Sequence, residues 1–326
     1  MPTIYDVARQ AAVSAATVSR VLNGNKTVDP AMVARVLTAV RELGYRPNAV
    51  ARNLRRSQTT LWAVIISDIG NPFFTSMVRG IEDVAQHSGY SVVLCNSDEN
   101  PDKEAVYVAA ALSQQMAGVI IASSGNGKAA KTLIDSGTPV VAIDRELPRA
   151  SVDTVVADNE GGAEAATRHL AEAGYQRIAC ITGPEGVSTA DLRLRGYHRV
   201  ADGPVRRADL REQGGYDAMA SLLAEDERPD AVFVANNLMA VGAMRCLAKH
   251  KVAVPGELGL VGFDDLPWAD LVRPSLTTVA QPTYELGRVA ARLLVDRIHT
   301  PAGKPSTIVL PTELHVRESS ARPPAP

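Results

Sequence analysis

Thr3-Ile4-Tyr5-Asp6-Val7-Ala8, followed by Val13-Ser14-Ala15-Ala16-Thr17-Val18-Ser19-Arg20-Val21-Leu22-Asn23, is the stretch from which the rest of the chain can be read. Thr3 and Asp6 have capping-box spacing with an acidic partner, and they open an apolar pattern at Val7, Ala8 and Ala11. Ser14 can cap a second short helix, Ala15 to Asn23, whose inward positions are Val18, Val21 and Leu22. Two short helices joined at Ala12-Val13 read as a helix-turn-helix. Asp29-Pro30 caps a third helix, Gly44 closes it, and Met32, Val33, Val36, Leu37, Val40 and Leu43 form its packing stripe.

With the inward positions removed, Ala15, Ala16, Thr17, Ser19 and Arg20 face outward. Short and hydroxylated side chains with one guanidinium suit close approach to a major groove. Arginine can bind guanine bidentately, and alanine methyls can meet thymine methyls. Ala15-Ala16 also has a plain reading as good helix formers. Downstream, Pro47 to Arg56 is long enough for about two helical turns, too short to be stable alone. It carries three arginines and one large apolar side chain, Leu54, as minor-groove wedges do, although a plain linker would read similarly.

Charge is distributed unevenly. The chain of 326 residues has a net charge of −2, yet residues 1–60 hold nine basic and three acidic side chains, leaving 25 basic and 33 acidic beyond. A basic head on an acidic body suits a polyanion, though a solvated basic face would look the same. Hydrophobic residues at 46% and charged ones at 21% are ordinary for globular chains, and the length favours two or three domains. Cys95, Cys180 and Cys246 are far apart, with no C-x-x-C pair. Neither a disulfide framework nor a metal site is expected, and no cofactor is called for. No apolar run approaches membrane-spanning length, and the first residues lack the pattern of a secretory signal, so a cytoplasmic protein with no membrane partner is expected.

From Leu61 onward, β-branched runs alternate with helical patterns. The expected strands are Leu61–Ser67, Ser91–Asn96, Gly118–Ala122, Val140–Ile143, Thr154–Ala157, Ile178–Thr182, Ala231–Ala235, Leu258–Gly262 and Thr277–Ala280. The expected helices are Pro72–His87, Asp102–Gln114, Gly161–Ala173, Gly215–Ala224, Leu238–Lys249 and Tyr284–Ile298. Such alternation gives an α/β body of two doubly wound parallel sheets, with a ligand at the strand carboxyl ends facing a cleft. Enzyme chemistry finds no support. Ser124-Gly125-Asn126-Gly127-Lys128-Ala129 has Ala122 and Ala129 where a P-loop needs glycine and a hydroxyl, and the six histidines are scattered. Polar residues at strand ends are the better signal: Asp144-Arg145, Asn236-Asn237 and Asp264-Asp265, with Arg193 nearby. Carboxylates, amides and an arginine suit a polyol, whose hydroxyls each need a donor and an acceptor. Asn237 and Asp265 read equally well as turn or cap residues.

The first two quoted segments, together with Glu42-Leu43-Gly44-Tyr45-Arg46-Pro47-Asn48-Ala49-Val50-Ala51-Arg52, closely resemble the lactose/galactose (LacI/GalR) repressor family. The resemblance covers the whole N-terminal domain in order and spacing, and the body shows it in part. It implies a helix-turn-helix domain over 1–47, a hinge helix and linker over 48–60, and a periplasmic-binding-protein-like body over 61–326. The body would divide into an N-subdomain (about 61–157 and 283–310) and a C-subdomain (about 158–281 and 311–326).

The implied protein is a homodimeric regulator, with a tetramer compatible, that binds double-stranded operator DNA and answers to a small sugar. By position, Ala15, Ala16 and Arg20 become base readers and Leu54 a wedge. Thr3, Tyr5, Ser14, Thr17, Ser19, Asn23 and Tyr45 become positioning contacts, joined in the hinge by Asn48, Ala51 and Arg55. In the body, the implied effector residues are Asn71, Phe73, Phe74, Asp144, Arg193, Asn236, Asp264 and Gln281. Asn237 stands where the family usually has aspartate, and Tyr197 to Gly214 is about a dozen residues short. If Ala208-Asp209-Leu210 answers the family's Gly-Asp-aromatic, Leu210 replaces a stacking ring, which Trp268 could supply instead. The segments around Arg177–Pro184, Arg193–Tyr197 and Gly214–Met219 look most like the ribose-operon branch. A pentose such as ribose is therefore the first expectation, with a hexose, nucleoside or sugar acid open. The alternatives are a regulator controlled by a protein corepressor and a sugar-binding transport protein on the same body fold.

Overall fold

A computed structural model describes residues 2–22, 27–45, 59–124, 127–147 and 150–322. It comprises two compact units, divided between Thr59 and Thr60. Asn23, Asn48, Ala51, Leu54 and Arg55 lie outside the described residues.

In the first unit, α1 (Ile4–Gln10) carries the expected capping box: Thr3 Oγ1 accepts from the Asp6 amide, and Asp6 accepts from the Thr3 amide. Ala12 takes a left-handed φ of 52° at the turn, and the Thr17 amide donates to Ser14 Oγ at the start of α2 (Ala15–Leu22). Asp29 caps α3 (Pro30–Leu43), and Gly44, at φ 58°, ends it. The core is Val7, Ala8, Ala11, Val18, Val21, Val36 and Ala39. Two positions of the expected α3 stripe are corrected: Met32 and Leu37 are 39% and 45% exposed, and Ala39 is buried instead. At about 100° per residue, Leu37 lies too far round the helix from Val36 to share its face.

The second unit holds two six-stranded sheets. Sheet one runs β11-β5-β4-β3-β1-β2, from Thr307–Leu310, Asp153–Ala157, Val140–Ile143, Gly118–Ile121, Leu61–Ile66 and Ser91–Asn96. Sheet two runs β12-β10-β9-β8-β6-β7, from Glu313–His315, Thr277–Ala280, Gly259–Phe263, Ala231–Val234, Ile178–Thr182 and Val205–Arg207. All described pairings are parallel except β10 with β12. The central strands are buried at nearly every position, as helix cover on both faces requires. The chain passes between the sheets after β5, after β10 and after β11.

Helices α4 (Pro72–His87), α5 (Pro101–Ser113), α6 (Lys128–Asp135) and α11 (Thr283–His299) serve the first sheet. Helices α7 (Asn159–Glu172), α8 (Ser188–His198), α9 (Glu212–Leu223) and α10 (Asn237–Lys249) serve the second. The sequence patterns do not reveal α6, α8, β7, β11 or β12. Where the chain is short, between Tyr197 and Gly214, β7 still pairs with β6, and α9 begins at Glu212, earlier than the expected Gly215.

Candidate functional site

The carboxyl ends of both sheets open on one cleft of about 520 Å³, counting its solvent-filled mouth. Strand ends deliver the principal side chains, because a buried strand that stops at a polar residue leaves that residue at the sheet edge. Asp144 follows β4 and Asp264 follows β9. Both take left-handed backbone, φ 66° and 69°, held by amide hydrogen bonds to Val155 O and Val279 O. Glu99 and Leu210, also on the cleft, have φ of 57° and 64°. Strained backbone of this kind persists where the surroundings over-determine it, commonly at functional sites.

Arg193, on α8, is 5% exposed. Its Nε donates to Asn159 Oδ1 at 2.8 Å and its Nη1 to Ala235 O at 2.8 Å. Its Nη2 lies 3.7 Å from Asp264 Oδ1, and its guanidinium carbon sits 3.8 Å over the Phe263 ring. Burial holds its pKa below the usual value, opposed by Asp264 and Asp144. Arg145 is gripped bidentately by Glu99 at 2.7 and 2.6 Å. Burial works against that charge, yet Glu99, Asp144 and Glu104 raise its pKa. The Arg145 Nε is buried without a hydrogen bond and lies 3.6 Å from Asp144 Oδ2. Burial pushes the Asp144 carboxyl up to about 6, against the pull of Arg145 and Arg193 and with the push of Asp264 and Glu99.

Asn236 caps α10 by accepting from the Met239 amide at 3.0 Å. Gln281 is one step back from the cleft, donating through Nε2 to Asp264 Oδ1. Phe73 and Phe74 line the cleft edge-to-face, centroids 5.0 Å apart, while also belonging to the core. Asn71 is on the cleft, but its amide is paired reciprocally with Asn237 across it, at 3.1 and 2.8 Å. Trp268 is a correction. It packs on the C-subdomain core with Leu266 and Ala269 and is not among the lining residues, so it supplies no platform in place of Leu210.

The cleft also takes Asp68, Glu99, Thr189 and Arg211, which are not singled out from the sequence, and Arg145 and Asp209, which are singled out without being assigned to the effector. Asp68 follows β1, and Glu99 follows β2 by a short loop, so the strand-end rule that selects Asp144 reaches them too. Thr189 and Arg211 carry no such mark.

In the first unit, Tyr5 is 70% exposed. Thr3, Ser14, Ala16 and Arg20 are exposed; Ala15, Thr17, Ser19 and Tyr45 are half-buried. Ala15 and Tyr45 pack against the small core. Among the described residues there is no cluster of metal-ligating side chains and no helix long and apolar enough to cross a membrane.

Comparison with known proteins gives these features a class. Residues 3–48 match the bacterial regulatory proteins of the lacI family, and residues 167–320 match the periplasmic binding protein-like domain. The chain belongs to the lacI family of transcriptional regulators; its relatives are regulators rather than enzymes. Catabolite control protein A of Priestia megaterium is 39% identical, the alignment covering 98% of this chain and 99% of that one. The ribose operon repressor of Halalkalibacterium halodurans is also 39% identical, covering 98% and 97%. The lac repressor dimer bound to operator and an anti-inducer superposes with a TM-score of 0.87 at 29% identity, covering 98% and 99%. A LacI family regulator of Enterococcus faecalis with bound ribose superposes with a TM-score of 0.74 at 31% identity, covering 80% and 98%.

Proposed function

We propose that this regulator is a repressor that binds a palindromic operator as a dimer and is released from it by a small carbohydrate, ribose being the first candidate. The observation that carries the reading is the cleft. Asp144 and Arg145 come from the subdomain of the first sheet, and Arg193, Asn236 and Asp264 from that of the second, so a single polyol can bridge both subdomains with donors and acceptors on each side. Phe73 and Phe74 give one apolar wall for the C–H face of a sugar ring. Relatives named for ribose operons, and the ribose-bound regulator, favour a pentose.

Operator binding rests on the outward residues of α2 and on the basic segment beyond Tyr45. Dimerisation agrees with α5, whose face Ala105, Val106, Ala109 and Ala110 is apolar and exposed. A strip of small residues permits close helix approach by a second copy.

Selection of bound sites from random duplex DNA, followed by titration of the selected site with and without sugars, tests the whole reading. A palindrome with half-sites about one helical turn apart is expected, with affinity falling when ribose is added. Arg20→Ala should cost about 1–3 kcal/mol and relax preference at one guanine per half-site. Uniform loss across all sequences would make Arg20 a phosphate contact instead. A protein that binds its site but ignores pentoses, hexoses, sugar acids and nucleosides alike would favour control by a protein corepressor.

A further inference from the structure

The reading of the cleft as a sugar site leaves open whether the effector carries a charge, since sugars reach a cell free, phosphorylated or oxidised to acids. We infer that the cleft accepts uncharged sugars and rejects their phosphate esters and acids. The inference rests on the proposed function and follows from how the charges on the cleft wall are paired.

Among the described lining residues, five carry carboxylates (Asp68, Glu99, Asp144, Asp209 and Asp264), against three guanidinium groups and no lysine or histidine. An anion would need a guanidinium free of other carboxylates. Arg145 is closed off on its two Nη atoms by Glu99, with Asp144 at 3.6 Å from its remaining Nε. Arg193 gives Nε and Nη1 to Asn159 and Ala235, and its Nη2 faces Asp264 at 3.7 Å. Arg211 sits at the mouth, where its Nη2 donates to Asp98 O at 3.3 Å and its own backbone amide donates to Asp209. Both buried cations, Arg145 and Arg193, are thus faced by carboxylates, Arg211 at the exposed mouth meets only a carbonyl, and the carboxylates of the wall outnumber the guanidinium groups.

Two buried carboxylates are left with capacity to accept. Asp144 has no side-chain hydrogen bond among those described, and Asp264 receives one from Gln281. Both are about 6% exposed. Buried acceptors of this kind pair with hydroxyl groups, which donate, and repel phosphate or carboxylate oxygens, which cannot. Between groups as buried as these, salt does little to screen that repulsion.

The test is calorimetric titration of the full-length protein with D-ribose, D-ribose 5-phosphate, α-D-ribose 1-phosphate and 5-O-methyl-D-ribose. The last adds bulk at the 5 position without charge. Ribose is expected to bind, the methyl ether to bind more weakly, and both esters to bind at least about 100-fold more weakly than ribose, because like charges brought together in a desolvated site are strongly disfavoured. Glu99→Gln should narrow the gap between ribose and its esters by at least about tenfold, since it frees Arg145. Asp209→Asn, a rim substitution less demanding of the fold, should narrow it by a smaller factor.

An ester that binds as tightly as ribose overturns the inference while leaving the sugar site standing. A methyl ether as weak as the esters also overturns it, because bulk and not charge would then be the barrier. Binding of none of the four removes the ribose reading itself, and this inference with it.

Discussion

A guanidinium out of water must satisfy five N–H groups, and Arg193 shows how the cleft meets that demand without closing the side chain to a ligand. Its Nε and Nη1 are fixed by neutral acceptors, so the group is held in place while Nη2 still faces Asp264 and the cleft. Charge-assisted hydrogen bonds are worth about 1.5–3 kcal/mol each. Arg193→Ala should therefore weaken effector binding by at least about 100-fold while operator affinity persists, giving a regulator deaf to its signal. Operator titration with and without ribose checks this, and a variant that responds normally would remove Arg193 from the site.

Asp144 makes the opposite case. Its carboxyl is pushed up to about 6, mainly by burial. A raised folded-state value means that ionising Asp144 costs stability as pH rises through 6, and that the cost is absent below the unfolded value near 4. Asp144→Asn should thus raise the melting temperature at pH 8, by at most a few kcal/mol in stability, with the difference from the native protein vanishing near pH 4. The same variant should bind ribose more weakly, since it exchanges a carboxylate acceptor for an amide. Melting curves across pH 4–8 decide the matter, and a variant less stable at pH 8 would contradict it. At this scale the sequence was legible wherever a lone polar residue ended a β-branched run. Asp144, Asn236 and Asp264 carry that mark, whereas Asp209 and Arg211 lie in a segment of such residues and do not stand out.

Among the elements, three helix pairs are built on glycines. A Cβ on Gly80 of α4 would lie 2.1 Å from Tyr284 O of α11, and one on Gly287 would lie 2.0 Å from Met77 O, so the two backbones touch. Gly196 of α8 meets α7 in the same way, and Gly215 and Gly242 bring α9 and α10 together. Overpacking at such a crossing costs about 1–3 kcal/mol. Gly80→Ala should lower the melting temperature of the body by several degrees, while the first unit, whose core is separate, keeps its own transition. Calorimetric scans would show this, and an unshifted body transition would mean that the helices slide apart at little cost.

The elements that escaped the sequence share a physical reason. α8 turns Thr189, Arg193 and Gly196 inward beside Ala190 and Tyr197, so polar and small residues break up the apolar period of its buried face. α6 is eight residues long and begins after Gly127 without a side-chain cap. β7 and β12 are three-residue edge strands with one apolar residue each, and β11, although it reads Thr307-Ile308-Val309-Leu310, is a short edge strand whose residues alternate between exposed and half-buried. The central strands, four-residue β3, β4 and β8 among them, were legible because burial on both faces demands an apolar run.

For the molecule's effector-binding unit, the question is what holds two subdomains joined by three crossings around a cleft. The reciprocal Asn71–Asn237 pair is one answer: each amide donates to the other across the cleft, and each also caps local backbone, at the Phe73 and Leu238 amides. Arg211 adds a second bridge, to Asp98 O. Both are neutral or backbone contacts, so closure through them does not depend on the titration of either partner. Resemblance to the lactose/galactose repressors places aspartate at position 237, and asparagine here exchanges a charge for a second donor.

A pair of such hydrogen bonds contributes on the order of 1–3 kcal/mol. If the effector binds the closed form, losing them should weaken ribose binding by about 5- to 100-fold through the closed population alone. Asn237→Ala is expected to do this without touching Arg193, Asp144 or Asp264. The structural readout is amide exchange at Phe73. Its cap, Asn71, loses its partner in the variant, so exchange should speed up without sugar and slow again when ribose saturates the site. Unchanged exchange together with unchanged affinity would show that the two amides meet across the cleft without helping to close it.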